Sequence, residues 1–164
     1  MASSKSFDAY VAARYASLTR TAYLLTGHHH DAEDLVQCAL MKAVGVWKRI
    51  EDSPDAYVRR IMVNENVSRW RRHRGREVVV EAVPDRGPSV EDEPDDVLML
   101  RDALAGLAPR QRAVVVLRYY EDLTERETAE LLGVAVGTVK SQARDALARL
   151  RAAGVTDRST GQPV

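Results

Sequence analysis

A chain of 164 residues with 45% hydrophobic side chains can build one ordinary domain or two small ones with a packed core. The 24 basic and 24 acidic side chains cancel, so overall charge names no partner. Cys38 is the only cysteine, which excludes an intrachain disulfide framework or thiolate zinc site, and no apolar run is long enough to span a bilayer. With no signal-peptide core at the N-terminus, the expected compartment is the cytoplasm.

The first predicted helix carries Phe7, Val11, Tyr15, Leu18, Ala22 and Leu25 at three- and four-residue steps and is closed by Gly27. A second stripe follows Asp31: Leu35, Ala39, Ala43, Val46 and Ile50. Ser53 and Pro54 then offer an N-cap and a first-turn proline for a third helix. That helix puts Val63, Val67 and Trp70 on one face and ends near Gly75. Three helices in about the first 75 residues is the expectation.

From Glu77 to Asp96 the composition changes. Eight acidic residues stand against one base, Arg86, and Pro84, Gly87, Pro88 and Pro94 punctuate the stretch. It reads as a flexible or extended linker, in which Val78, Val79 and Val80 offer an apolar docking point. Limited proteolysis should cut there first and leave two helical fragments. Helical segments are then predicted over 97–106, 109–120, 125–132 and 136–153. The run Ala113 to Leu117 is rich in β-branched residues and invites a strand. Yet Ala113, Val116, Leu117 and Tyr120 keep helical spacing, and Pro109 sits where a helix would start. The tail from Thr156 is expected to be disordered. The chain therefore reads as all-α, with a first domain over 1–76, a linker over 77–96, a second domain over 97–154 and a tail over 155–164.

The sequence 131–151, LLGVAVGTVKSQARDALARLR, joins two helices through one glycine. Thr124 can cap the first of them and Glu127 can complete a capping box. Ala129 is small where a partner helix would cross, and Gly133 permits the sharp turn of a helix-turn-helix. On the second helix Val139, Ala143, Ala146 and Leu150 share a narrow sector. Gly137, Lys140, Ser141 and Arg144 lie opposite. Small residues, a hydroxyl and bases are what a DNA-reading face needs. The same pattern describes an ordinary helical hairpin with a solvated basic face. Ala135 occupies the N-cap without a capping side chain, which costs on the order of 1 kcal/mol.

The third helix is basic. Arg59, Arg60, Arg69, Arg71, Arg72, Arg74 and Arg76 stand against Asp55 and Glu65. A helix C-terminus accounts for some of these cations, but four between Arg71 and Arg76 exceed what capping needs, and a phosphate backbone is the better partner. The arginine bias itself is explained more simply by a GC-rich genome. Tyr57, Arg60 and Asn64 lie within two turns on one face, where an aromatic, a cation and an amide can hold an unstacked base. Residue types alone favour the plainer account, a half-buried tyrosine and an asparagine bonded to backbone.

Three motifs in order resemble the bacterial sigma factors of the extracytoplasmic-function class. DAEDLVQ (Asp31 to Gln37) is similar to the family's polymerase-binding helix. YVRRIMVNENVSRWRR (Tyr57 to Arg72) is similar to the helix that opens and reads the minus-ten element. The stretch from Pro109 to Gln142 is similar to the region that reads the minus-thirty-five element. The resemblance covers about residues 5–153.

It implies an all-helical, two-domain protein that binds core RNA polymerase and promoter DNA, needs no cofactor, has no catalysis of its own, and can meet an anti-sigma protein. By that likeness Asp34 and Gln37 would face the polymerase. Tyr57 and Asn64 would hold a flipped minus-ten base, with Arg60 near them. Thr138, Lys140, Ser141 and Arg144 would touch the minus-thirty-five duplex, and the acidic linker would thread a basic channel. Cys38 stands where the family usually has an acidic residue, and Asp145 where a base is common. Cys38 falls beside Asp34 and Gln37; a small buried cysteine is the more ordinary reading than an oxidation sensor.

Two other readings compete. The run from His28 to Asp34, HHHDAED, suggests a metal, but adjacent histidines on a turn diverge and no distant ligand set supports them. A two-domain regulator using only its helix-turn-helix would leave the arginine cluster and Asn64 without a task.

Overall fold

A computed structural model describes residues 6–74 and 94–154. Among them every regular element is helical. Helix α1 (Phe7–Thr26) starts at Ser6, whose hydroxyl accepts the Ala9 N–H, and stops at Gly27 with φ 78°. A side chain would be strained there. Leu18, Ala22 and Leu25 are buried as their spacing predicts, while Tyr15 is exposed.

The second apolar stripe is divided between α2 (His29–Gly45) and a single turn, α3 (Trp47–Ile50). Among the described residues the first half thus has four helices and not three. The chain bends at Val46, where φ is −125° and ψ 16°. The bend brings Trp47 edge-on to Phe7 at 5.2 Å and beside Tyr10 at 5.3 Å. This aromatic packing on α1 would be lost if α2 ran straight on. Helix α4 (Pro54–Arg74) begins at the expected proline. Asp55 in its first turn accepts the Tyr10 hydroxyl at 2.9 Å and the Arg14 Nε–H at 3.2 Å, tying α4 to α1. Burial, and then the Asp55 hydrogen bond, push the Tyr10 phenol far above its ordinary pKa.

The second half opens with α5 (Asp95–Ala105), so Asp95 and Asp96 are helical; residues 77–93 of the acidic stretch, with the valine triplet, and the tail from Thr156 lie outside the described residues. Helix α6 (Pro109–Val115) runs on into a π-helical turn (Val116–Tyr120). The Ala113–Leu117 run is therefore helical, and every one of its residues is buried. Helices α7 (Glu125–Leu132) and α8 (Val136–Ala152) complete the fold.

The two halves share apolar surface. Leu104, Leu107, Val115, Val116 and Leu117 belong to the same buried cluster as Leu18, Leu25, Leu35, Val58, Met62 and Val63. Arg112 fastens the seam. Its guanidinium donates to the carbonyls of Leu25 (2.7 Å), Leu104 (2.9 Å) and Leu107 (3.1 Å). Leu25 and Leu104 lie in the last turns of α1 and α5, where carbonyls lack intrahelical partners. Burial lowers the Arg112 pKa from its ordinary value. Asn66 adds a 3.2 Å bond to the same Leu25 carbonyl.

Candidate nucleic-acid interface

The helix-turn-helix is built as the residues predict. The Thr124 hydroxyl accepts the Glu127 N–H at 3.1 Å, and the Glu127 carboxylate accepts the Thr124 N–H at 2.7 Å. Those backbone and hydroxyl bonds hold the Glu127 carboxyl below its ordinary pKa. Gly133 turns the chain with φ 66°. In α8, Val139, Ala143, Ala146 and Leu150 are buried. Gly137, Thr138, Lys140 and Arg144 are exposed, and half-buried Ser141 gives its hydroxyl to the Thr138 carbonyl at 3.1 Å. Ala135 makes no side-chain cap. The start of α8 is held instead by backbone: the Val134 N–H reaches Ala129 O at 3.0 Å, and the Thr138 N–H reaches Ala135 O at 3.0 Å.

Both cations of that face have loose carboxylate neighbours. Lys140 Nζ is 3.8 Å from Glu125, and Arg144 Nε is 3.8 Å from Asp145. All four side chains are more than a third exposed, so phosphate can displace the carboxylates at little cost.

Helix α4 divides its side chains among several surfaces. Tyr57 is half-buried and packs on the core cluster. Arg60 is exposed on a surface groove with Asp55, Leu123 and Glu127. Asn64 is exposed on a different groove. The three are thus not gathered into one recess. Glu65 draws part of the basic cluster inward, lying 3.3 Å from Arg69, 3.3 Å from Arg72 and 3.7 Å from Lys42. Arg71 is exposed, and Arg74 closes the helix. Trp70 leaves the Val63–Val67 face and lines a third groove with Arg69, Arg72 and His73.

The groove that holds Asn64 lies between the halves. Val63, Asn64, Val67, Ser68 and Arg71 of α4 face Arg110, Thr138, Val139 and Gln142 across it. Ser68, Arg110 and Gln142 were not among the residues singled out by sequence. Two of them had a signal: Ser68 lies one turn beyond Asn64, and Gln142 one turn beyond Thr138.

On α2, Asp34 and Gln37 are exposed and share a shallow surface with Cys38, Met41, Lys42 and Arg69. Met41 is 74% exposed there, an apolar group displayed between charges. Cys38 is half-buried and forms no disulfide. His30 lies 3.6 Å from Asp34, whereas His29 stacks on Tyr23 at 4.2 Å. The adjacent histidines do diverge, and among the described residues no group of three or more His, Cys, Asp or Glu side chains could hold a metal ion. No helix among those residues is long and apolar enough to cross a membrane.

Two family models match the chain. Residues 9–76 match the family model described as Sigma-70 region 2, and residues 98–150 match Sigma-70, region 4. The RNA polymerase sigma-E factor of Streptomyces avermitilis is 45% identical over 150 residues, covering 88% of this chain and 83% of that one. The ECF RNA polymerase sigma factor SigL of Mycobacterium tuberculosis is 34% identical over 148 residues, covering 83% and 81%. Among solved structures, the sigma factor RpoE from Bartonella quintana, in complex with the anti-sigma factor NepR, aligns with a TM-score of 0.74 at 31% identity. That alignment covers 93% of this chain and 98% of the other.

Proposed function

Because this chain belongs to the extracytoplasmic-function class of RNA polymerase sigma factors, we propose that it binds core RNA polymerase, directs it to a set of promoters and helps melt their minus-ten element. One observation carries the reading. A capped helix-turn-helix with exposed Thr138, Lys140 and Arg144 and an arginine-rich helix with exposed Asn64 occur on one chain, in the region 2 then region 4 order.

The roles follow from exposure and chemistry. Lys140 and Arg144 neutralise phosphates or read guanine, and Thr138 and Ser141 contact the same minus-thirty-five duplex. Asn64 both donates to and accepts from a base edge. Tyr57 offers a stacking ring from a half-buried position on the same helix. Arg60, Arg71, Arg72 and Arg74 follow the backbone. Asp34 and Gln37, with Met41 between charged neighbours, meet the polymerase. The polymerase supplies the chemistry, so the chain needs no cofactor and works where the polymerase works, in the cytoplasm. An anti-sigma protein is a third expected partner, since the similar Bartonella quintana protein was solved with one. The domains carrying these roles are residues 1–76 and 97–154, with the acidic stretch 77–96 between them.

Run-off transcription with purified core polymerase tests the reading. Core polymerase with this chain should initiate from promoters at which core alone does not. Promoter binding without a transcript would make the chain a helix-turn-helix regulator instead.

A further inference from the structure

One acidic side chain stands on the face of α8 that the functional reading gives to duplex DNA. Asp145 follows Ser141 by four residues and Thr138 by seven, which at roughly 100° per residue places it within about 40° of both around the helix axis. It lies at least about 100° from each of the buried residues Val139, Ala143, Ala146 and Leu150. Its side chain is 60% exposed. The residues around it on that side, Thr138, Ser141 and Ala148, are small, so a duplex can come close enough for a short carboxylate to reach it. Asp145 stands about 6 Å beyond Ser141 along the axis, nearly two base steps of about 3.4 Å, so it meets a base pair of its own.

Helix stability does not account for this residue. The helix dipole favours carboxylates in a first turn, as for Glu125 at the start of α7, whereas Asp145 lies in the third turn of α8. Among the described residues no ion pair joins it to Arg149, one turn on, and its one ionic neighbour is Arg144, at a loose 3.8 Å. A carboxylate on a DNA face is repelled by the phosphates, and Arg144 beside it offsets that charge. What remains for it to bind is the floor of the major groove. An ionised carboxylate only accepts hydrogen bonds. Cytosine N4 and adenine N6 donate there, whereas guanine presents O6 and N7 and thymine O4, all of them acceptors. Adenine sets the acceptor N7 beside N6, so a carboxylate that accepts from N6 turns its second oxygen toward a lone pair. Cytosine carries no acceptor of its own beside N4 and is the best match.

We propose that Asp145 is a specificity-determining residue of this chain: its carboxylate accepts a hydrogen bond from the N4 amino group of one cytosine in the minus-thirty-five element, and it rejects guanine or thymine at that position. The inference rests on the functional reading above and deepens it. Lys140 and Arg144 attract any duplex, because phosphates are the same at every step. Asp145 adds nothing to that attraction. It lowers affinity for most sequences and recovers the loss on one base, so its contribution is discrimination and not binding strength.

The test uses holoenzyme assembled from core polymerase and the full chain, and a pool of linear promoters randomised at both elements. Bound fragments are recovered and sequenced, and single-base variants of the selected promoter are then compared by competition. With the parent chain, one position of the minus-thirty-five element should favour cytosine over guanine by at least about fivefold, the lower end for one good base contact. Asp145→Ala should erase the preference at that position alone. It should bind the cytosine promoter more weakly and the guanine promoter more tightly, a crossing that a folding defect cannot produce. Asp145→Asn keeps an acceptor oxygen and adds a donor for adenine N7, so it should raise adenine at that position at least about fivefold relative to the parent. Asp145→Ala with the parent's preferences at every position would overturn the proposal. So would Asp145→Ala that binds all sequences more tightly by one factor, because the carboxylate would then only repel phosphate. An Asp145→Asn variant as indifferent as Asp145→Ala would equally remove the acceptor role. A parent holoenzyme that enriches no sequence would remove the functional reading and this inference with it, whereas an enriched element insensitive to residue 145 removes the inference alone.

Discussion

Helices α4 and α8 are both basic and both carry proposed DNA contacts, yet their cations are held differently. In α4, Arg59 is enclosed with Glu121, and Arg69 and Arg72 lean on Glu65. In α8, Lys140 and Arg144 have only loose, exposed carboxylate neighbours at 3.8 Å. The difference separates two jobs. A helix that docks on intact duplex needs cations free to meet phosphate at once. A helix that acts after strands separate can have its groups tied to the fold until then. The comparison also depends on the shared core, because both helices line one groove only while the halves are packed together.

That packing can be broken most directly at Leu117. Its side chain is fully buried in the cluster that both halves contribute to. Leu117→Ala should lose about 2–5 kcal/mol, the usual range for a leucine removed from a close-packed core. Urea denaturation followed by circular dichroism should give one transition moved to lower urea. A first-half probe, such as Trp47 fluorescence, should move with it. If Trp47 reports an unshifted midpoint, the halves unfold separately and the shared cluster contributes little.

Much of this arrangement was legible in advance, and what was hidden has a common physical cause. Periodicity reports which face of a helix is apolar but not what covers it. The α1 stripe, the Thr124–Glu127 capping box, the Gly133 turn and the buried face of α8 are local patterns, and each follows from residues a few positions apart. The break at Val46 is driven by Trp47 meeting α1, some forty residues earlier in the chain. The Arg59–Glu121 pair joins residues 62 apart, and no local pattern distinguishes Glu121 from its neighbours Asp122 and Glu125. The π turn that aims it has the same residue spacing to the eye as an α-helix. Among the proposed site residues, exposure of Lys140 and Arg144 was legible; the exposure of Asn64 and the scattering of Tyr57, Arg60 and Asn64 over different surfaces were not.

The contrast between the helices sharpens into different losses on different templates. Asn64→Ala should reduce opening of intact duplex, because unstacking a base demands a few kcal/mol that the pocket must return. It should matter less on a template already melted over the minus-ten region. Lys140→Ala and Arg144→Ala should weaken binding to both templates alike and lower the salt slope by about one unit for each phosphate left unneutralised. Permanganate footprinting reads the first effect and salt titration of holoenzyme binding the second. Equal opening of intact duplex by Asn64→Ala and the parent chain would return Asn64 to a surface role. Unchanged binding by both α8 variants would place the duplex on another face.

The smallest effect lies at the starts of the paired helices. Helix α7 begins with a complete capping box, whereas α8 begins at Ala135 with no side-chain cap. Glu127 is held below its ordinary pKa chiefly by the Thr124 N–H. The sign follows from linkage: the folded value lies below the unfolded one, so the box contributes fully above the unfolded carboxylate pKa of about 4.3 and is lost as pH falls through the lower folded value. Ala135→Ser would give α8 an uncharged cap, its hydroxyl accepting the N–H of Gly137 or Thr138. The expected gain is about 1 kcal/mol at any pH between 3 and 8, a range over which serine does not titrate. A neutral hydroxyl also adds no charge beside DNA, so promoter binding should not change. Thermal melting then returns to the question of the two halves. One cooperative unit of this length should gain about 2–4 °C for that 1 kcal/mol, whereas a second half of roughly 60 residues melting alone should gain about 4–8 °C. A rise in the larger range, confined to one of two resolved transitions, would mean that α8 answers to its own half and that the shared core does not couple it to α4.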